Sequence, residues 1–74
     1  MNSRPIGIFD SGAGGLSIWK EINALLPHES TLYISDAKYA PYGSLEADAI
    51  LKRAIVNTEA LLGKGAKIIV VACN

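Results

Sequence analysis

Three short apolar runs rich in β-branched residues, Pro5-Ile6-Gly7-Ile8-Phe9, Thr31-Leu32-Tyr33-Ile34 and Lys67-Ile68-Ile69-Val70-Val71-Ala72, alternate with two stretches of helical periodicity. This alternation constrains the fold more than any other feature, because strand-helix-strand units joined by right-handed crossovers give a parallel sheet with helices on its faces. The first helical stretch carries Leu16, Trp19, Ile22 and Leu26, with Ile18 and Leu25 beside them, and stops at Pro27. The second starts at Ser44, a good N-cap residue, with Glu46 and Asp48 following. Ala47, Ile50, Leu51, Ala54, Ile55, Leu61 and Leu62 trace one face of it up to Gly63. The third run reads as a strand covered on both faces. The expected fold is therefore α/β, a three-stranded parallel βαβαβ portion of a doubly wound, flavodoxin-like sheet. With the first strand central, in the order 2-1-3, all three strand exits share one carboxyl edge.

Composition supports a packed core and narrows the partners. Half of the 74 residues are hydrophobic and only 19% are charged, too apolar for a disordered chain and rich for so small a freestanding domain. Seven basic and seven acidic residues cancel, so no field gathers nucleic acid or an anionic membrane. The longest apolar stretch, Ile68 to Cys73, is too short to span a bilayer. A single cysteine forms no internal disulfide and no secretory signal pattern opens the chain, which places it in the cytosol.

Polar residues stand where the strands should end. Asp10-Ser11 leads into Gly12-Ala13-Gly14-Gly15, Ser35-Asp36 precedes the turn-forming Ala40-Pro41-Tyr42-Gly43, and Cys73-Asn74 follows the third strand. The glycine loop is a poor phosphate cradle, since an aspartate heads it and it has neither the P-loop lysine nor a GxGxxG spacing. It suits a zwitterion better, with Asp10 attracting an ammonium while amides and hydroxyls take a carboxylate. Cys73 can be inert packing at the end of a buried strand or a reactive thiol at the strand exit; burial and Asp10 would oppose its ionisation, while amides or a bound ammonium would favour it. One histidine and one cysteine, His28 and Cys73, form no recognisable metal set, and no lysine is placed to hold pyridoxal phosphate. Lys38 reads as a solvent-facing loop residue, His28 as a surface residue, and Trp19 and Tyr33 as core aromatics.

Three segments in this order, Ile6-Gly7-Ile8-Phe9-Asp10-Ser11-Gly12 with Gly14-Gly15-Leu16, Tyr39-Ala40-Pro41-Tyr42-Gly43, and Val71-Ala72-Cys73-Asn74, together resemble the glutamate racemases. The resemblance covers the whole chain. It implies two pseudo-symmetric α/β domains with L- or D-glutamate held between them, and a cofactor-free exchange of the α-proton by two cysteines that supplies D-glutamate for peptidoglycan. It assigns Cys73 as one acid/base, Asp10 and Ser11 as substrate contacts and supports for the thiol, and Tyr42, Gly43 and Asn74 as binders of the substrate's carboxylates and ammonium. It leaves room for a homodimer of the full-length protein.

The chain is expected to be the amino-terminal part of the first domain and to be inactive alone. It stops before the threonine that should follow Asn74 and before the half with the second cysteine and its histidine, which leaves the third strand an uncovered apolar edge and face. Only nine residues precede Asp10, so the longer regulatory extension of some members is not expected. Aspartate and hydantoin racemases are the near alternatives. A non-catalytic flavodoxin-like or receiver-like binding module is the distant one; Cys73 stands where a receiver would want an aspartate.

Overall fold

The structure, a computed structural model, describes residues 3–12, 14–39 and 45–72. Strand β1 (Ile6–Asp10) leads into helix α1 (Gly15–Leu25), strand β2 (Thr31–Ser35), a short 3-10 turn (Ala37–Tyr39), helix α2 (Ala47–Gly63) and strand β3 (Ile68–Val71). The three strands form one parallel sheet, as the alternation predicts, in the order β2-β1-β3 of a doubly wound sheet. Every residue of β1 is buried, which is what a central strand flanked on both edges and covered on both faces requires.

Side chains alternate across the sheet, and each face receives one helix. Phe9 and Leu61 are almost wholly buried and form a core with Ala66, against which Leu32, Ile34, Ala54 and Ile69 pack. This is the α2 face. Leu61 reaches the middle of the sheet from the last turns of α2, so truncating it to alanine removes about 2–5 kcal/mol of packing. Ile6 and Ile8 point to the opposite face. There α1 contacts β1 and β2, and the Trp19 Nε1 donates to Thr31 Oγ1 at 2.9 Å. Trp19 is thus half-buried with its polar end engaged.

Several boundaries and faces differ from the sequence expectation. β1 and β2 each run one residue further, to Asp10 and Ser35, because those two pair across the strands. The expected Ser44 cap lies outside the described residues, and α2 begins at Ala47 with Glu46 in extended conformation as its N-cap and no side-chain capping bond. β3 is not covered on both faces: it lies at the sheet edge, with Ile68 56% and Val71 58% exposed. The expected apolar face of α2 is split. Leu61 is buried and Ile50 and Ala54 are partly covered, while Leu51, Ile55 and Leu62 face solvent. His28 and Lys38 are exposed, as expected.

Candidate functional site

The carboxyl edge of the sheet is assembled by backbone pairing. Beyond the strands, the Asp36 amide donates to the Asp10 carbonyl at 3.2 Å and the Ala72 amide donates to the Phe9 carbonyl at 2.8 Å. The exits of β2 and β3 are therefore held against the last residues of β1. Asp10 sits between them and is 1% exposed. An ionised carboxylate so deeply placed needs donors.

Its donors come from the loop, from α1 and from β2. Oδ1 accepts the Gly12 amide at 2.7 Å, and Oδ2 accepts the Gly15 amide at 3.0 Å together with the Tyr33 hydroxyl. Ser35 stands opposite Asp10 in the strand pairing. Gly15 is the first residue of α1, so the positive end of that helix faces the carboxylate directly. Gly12 and Gly14 have φ of 106° and 87°, backbone that L side chains rarely adopt, which is how the chain turns back sharply enough to deliver these amides. At Gly15 the reason for glycine is contact: a Cβ there would lie 2.7 Å from Asp10 Cβ and 2.8 Å from Cγ.

Burial pushes the Asp10 carboxyl up, but the hydrogen bonds from Tyr33, Gly12 and Gly15 outweigh it and hold the group below the ordinary value of 3.8. The Tyr33 phenol is raised in return, first by the bond it donates to Asp10 and then by burial and the carboxylate's charge. Asp10 is therefore an anion whose partners are the protein's own. With the Gly15 amide committed to it, the start of α1 already holds a carboxylate where a phosphate-binding loop would hold its ligand.

A second buried carboxylate braces the same edge. Asp36, 6% exposed, accepts Arg53 Nε at 2.9 Å on Oδ2, Arg53 Nη2 at 2.9 Å on Oδ1, and Asn57 Nδ2 at 3.0 Å on Oδ2. Arg53, Asn57 and Leu61 are spaced four apart on α2, so one line of that helix supplies both the clamp on Asp36 and the core leucine. The paired fork ties the β2 exit to α2 on one side while the Asp36 amide ties it to β1 on the other.

Of the residues singled out from sequence, the structure describes Asp10, buried at the edge, and Ser11, partly exposed in the loop after it. Tyr42, Gly43, Cys73 and Asn74 lie outside the described residues. Tyr33, expected as a core aromatic, is instead half-buried with its hydroxyl on Asp10. Sequence reasoning placed Ser35 and Asp36 at the β2 exit but missed the clamp on Asp36 from Arg53 and Asn57 and the contact of Tyr33 with Asp10. A signal existed for both: Tyr33 shares a strand face with Asp10 once the strands are adjacent, and Arg53 and Asn57 fall in register with Leu61. Two surface hollows, one lined by Ala54, Ile55, Thr58 and Glu59 and another by Leu25, Leu26, Pro27, His28 and Glu29, do not include Asp10. Among the described residues no group of three or more His, Cys, Asp and Glu is placed to hold a metal ion, and no helix is long and apolar enough to cross a membrane.

No protein-family model matches the chain. Individual proteins do. It is 54% identical over 74 residues, all of the chain, to a glutamate racemase of Cupriavidus pinatubonensis, covering 27% of that protein. It is 55% identical over 73 residues, 99% of the chain, to a glutamate racemase of Methylococcus capsulatus, again 27% of the relative. A glutamate racemase of Clostridium botulinum is 47% identical over 74 residues, with 29% of its length covered. The chain thus spans less than a third of the curated relatives it matches. Identity at this level, along the whole chain and across several bacteria, makes these 74 residues homologous over their whole length to a segment of the glutamate racemases.

Proposed function

We propose that these residues form the amino-terminal part of the first α/β domain of a glutamate racemase and carry one side of its active site. The observation that supports this best is the match along all 74 residues to proteins named glutamate racemase. The organised anion at the strand edge is consistent with it.

Racemisation at an α-carbon removes a proton from one face and returns one to the other, so it needs a base and an acid on opposite sides of the carbanion. In this reading the Cys73 thiolate takes or its thiol gives that proton on one side. The chain has a single cysteine, so the opposite group comes from outside these 74 residues, and the segment alone is inactive. The electron pair left on the α-carbon is held by the neighbouring carboxylate, and the pair of thiol groups exchanges protonation states in each turnover. No cofactor enters this route.

Asp10 supplies a fixed negative charge near the strand exit that bears Cys73, attracting the substrate ammonium and supporting proton transfer at the thiol. Ser11, Tyr42, Gly43 and Asn74 bind the polar groups of the amino acid through hydroxyl, amide and backbone donors. The protein works in the cytoplasm and supplies D-glutamate to peptidoglycan.

The test uses a full-length racemase carrying this segment, incubated separately with L-glutamate and L-aspartate while optical activity is followed. Loss of rotation with glutamate alone, abolished in Cys73→Ser, is the expected result. Aspartate racemisation instead would move the protein to a related racemase. Unchanged turnover in Cys73→Ser would return that residue to packing.

A further inference from the structure

The Tyr33 hydroxyl of β2 carries an inference that rests on the role of Asp10 given above. An ionised carboxylate offers about four acceptor positions, two on each oxygen. Asp10 Oδ1 receives Gly12, and Oδ2 receives both Gly15 and Tyr33. Oδ2 is therefore filled by the protein before any ligand arrives.

The three donors are not equivalent. The Gly15 amide belongs to the first turn of α1 and the Gly12 amide to a turn of positive φ, so neither can leave without moving backbone. A hydroxyl rotates about its own C–O bond. Tyr33 stands opposite Ile8, two residues before the Asp10–Ser35 pair, so pleating places it on the same face and lets the phenol reach diagonally to Oδ2. For Oδ2 to receive an ammonium, one donor must withdraw, and the Tyr33 hydroxyl is the one free to do so.

We propose that Tyr33 is a positioning residue of the site: its hydroxyl holds the Asp10 carboxylate ionised and oriented while the site is empty, and is released from it when the substrate ammonium binds. Among the described residues few other charges compete around Asp10. The Asp36 carboxylate is turned to Arg53 and Asn57 of α2, the α1 charges Lys20 and Glu21 are exposed, and β3 contributes no titratable residue within Ile68–Val71. Cys73 follows two residues after β3 in sequence.

The experiment measures kcat/KM from pH 5 to pH 9 for a full-length racemase carrying this segment and for its Tyr33→Phe, Tyr33→Met and Asp10→Asn variants, using glutamate as substrate. Removing one hydrogen bond from a buried carboxylate raises its pKa. Tyr33→Phe is then expected to lose more kcat/KM, relative to the parent, at pH 5 than at pH 8, by up to roughly sevenfold. A ratio that does not change with pH would make Tyr33 a packing residue and overturn the proposal. If Tyr33→Phe does not fold, Tyr33→Met, which keeps apolar volume without the hydroxyl, is read the same way. Asp10→Asn separates the two levels. Parent-like activity there overturns the role of Asp10 and the proposal with it, whereas lost activity beside a flat Tyr33→Phe ratio overturns the role of Tyr33 alone.

Discussion

Replacing Arg53 with methionine isolates what the Asp36 clamp contributes. Methionine keeps most of the aliphatic stem but removes both donors of the fork, at 2.9 Å each, leaving a 6%-exposed carboxylate that still accepts from Asn57. Each hydrogen bond to a charged group is worth about 1.5–3 kcal/mol, and breaking a buried ion pair on one side costs about 3–5 kcal/mol. The two routes agree on roughly 3–5 kcal/mol. With about 2–4 °C of Tm per kcal/mol for a chain of a few hundred residues, a full-length protein carrying the segment should melt roughly 6–20 °C lower. Differential scanning calorimetry reads this directly. A double-mutant cycle with Asp36→Asn should give a coupling of about 2 kcal/mol or more between the two positions. A cost below about 1 kcal/mol, with no coupling, would refute the assignment of the fork as the brace of this edge.

Other perturbations test separate steps. Glu29→Gln disrupts the pair in which Lys67 Nζ meets both Glu29 oxygens at 3.0 and 2.9 Å; that carboxylate is about a third exposed, so the loss should stay below about 1 kcal/mol by urea denaturation. Gly15→Ala forces a methyl against Asp10 and should cost about 1–3 kcal/mol in stability, with a larger proportional loss in kcat/KM because the carboxylate is displaced. Stability should also depend on pH at both ends. Because the Asp10 pKa is depressed on folding, its contribution is complete above the unfolded value near 3.8 and disappears as pH falls through the folded value. The raised Tyr33 pKa works in the opposite sense, its contribution being complete below about 10.0 and fading as pH rises through the folded value. Tyr33→Phe should flatten the alkaline fall in Tm, and an unchanged profile would contradict the bond to Asp10.

Local pattern made the scaffold legible before any coordinates. Each strand announced itself as a short apolar run, and the order with β1 in the middle was taken from doubly wound sheets; the pairing and the buried pattern of β1 bear it out. Asp10 stood out because it ends such a run and heads a glycine loop. What escaped notice depends on register across the sheet. Tyr33 meets Asp10 only because β1 and β2 pair Ile8 with Tyr33, and Asp36 meets Arg53 and Asn57 only because α2 crosses at the β2 exit. Neither partner is near the other in sequence. The face of α2 was misread for a related reason: helical periodicity marks both the Ala54–Leu61 line and the Leu51–Ile55–Leu62 line as apolar, and only the packed sheet distinguishes them. β3 read as doubly covered because Ile68-Ile69-Val70-Val71 suits a central strand, whereas within these residues it is an edge.

The central claim, proton exchange between two groups on opposite faces of the α-carbon with Cys73 as one of them, is tested most directly by proton NMR in D₂O. L-glutamate is given to a full-length racemase carrying this segment, and the α-position of each enantiomer is followed over the first few per cent of reaction. The account predicts that newly formed D-glutamate carries deuterium at the α-carbon while the remaining L-glutamate keeps its proton. Product that retains the substrate's own α-proton, or substrate that exchanges without inversion, would point to a single base and contradict it.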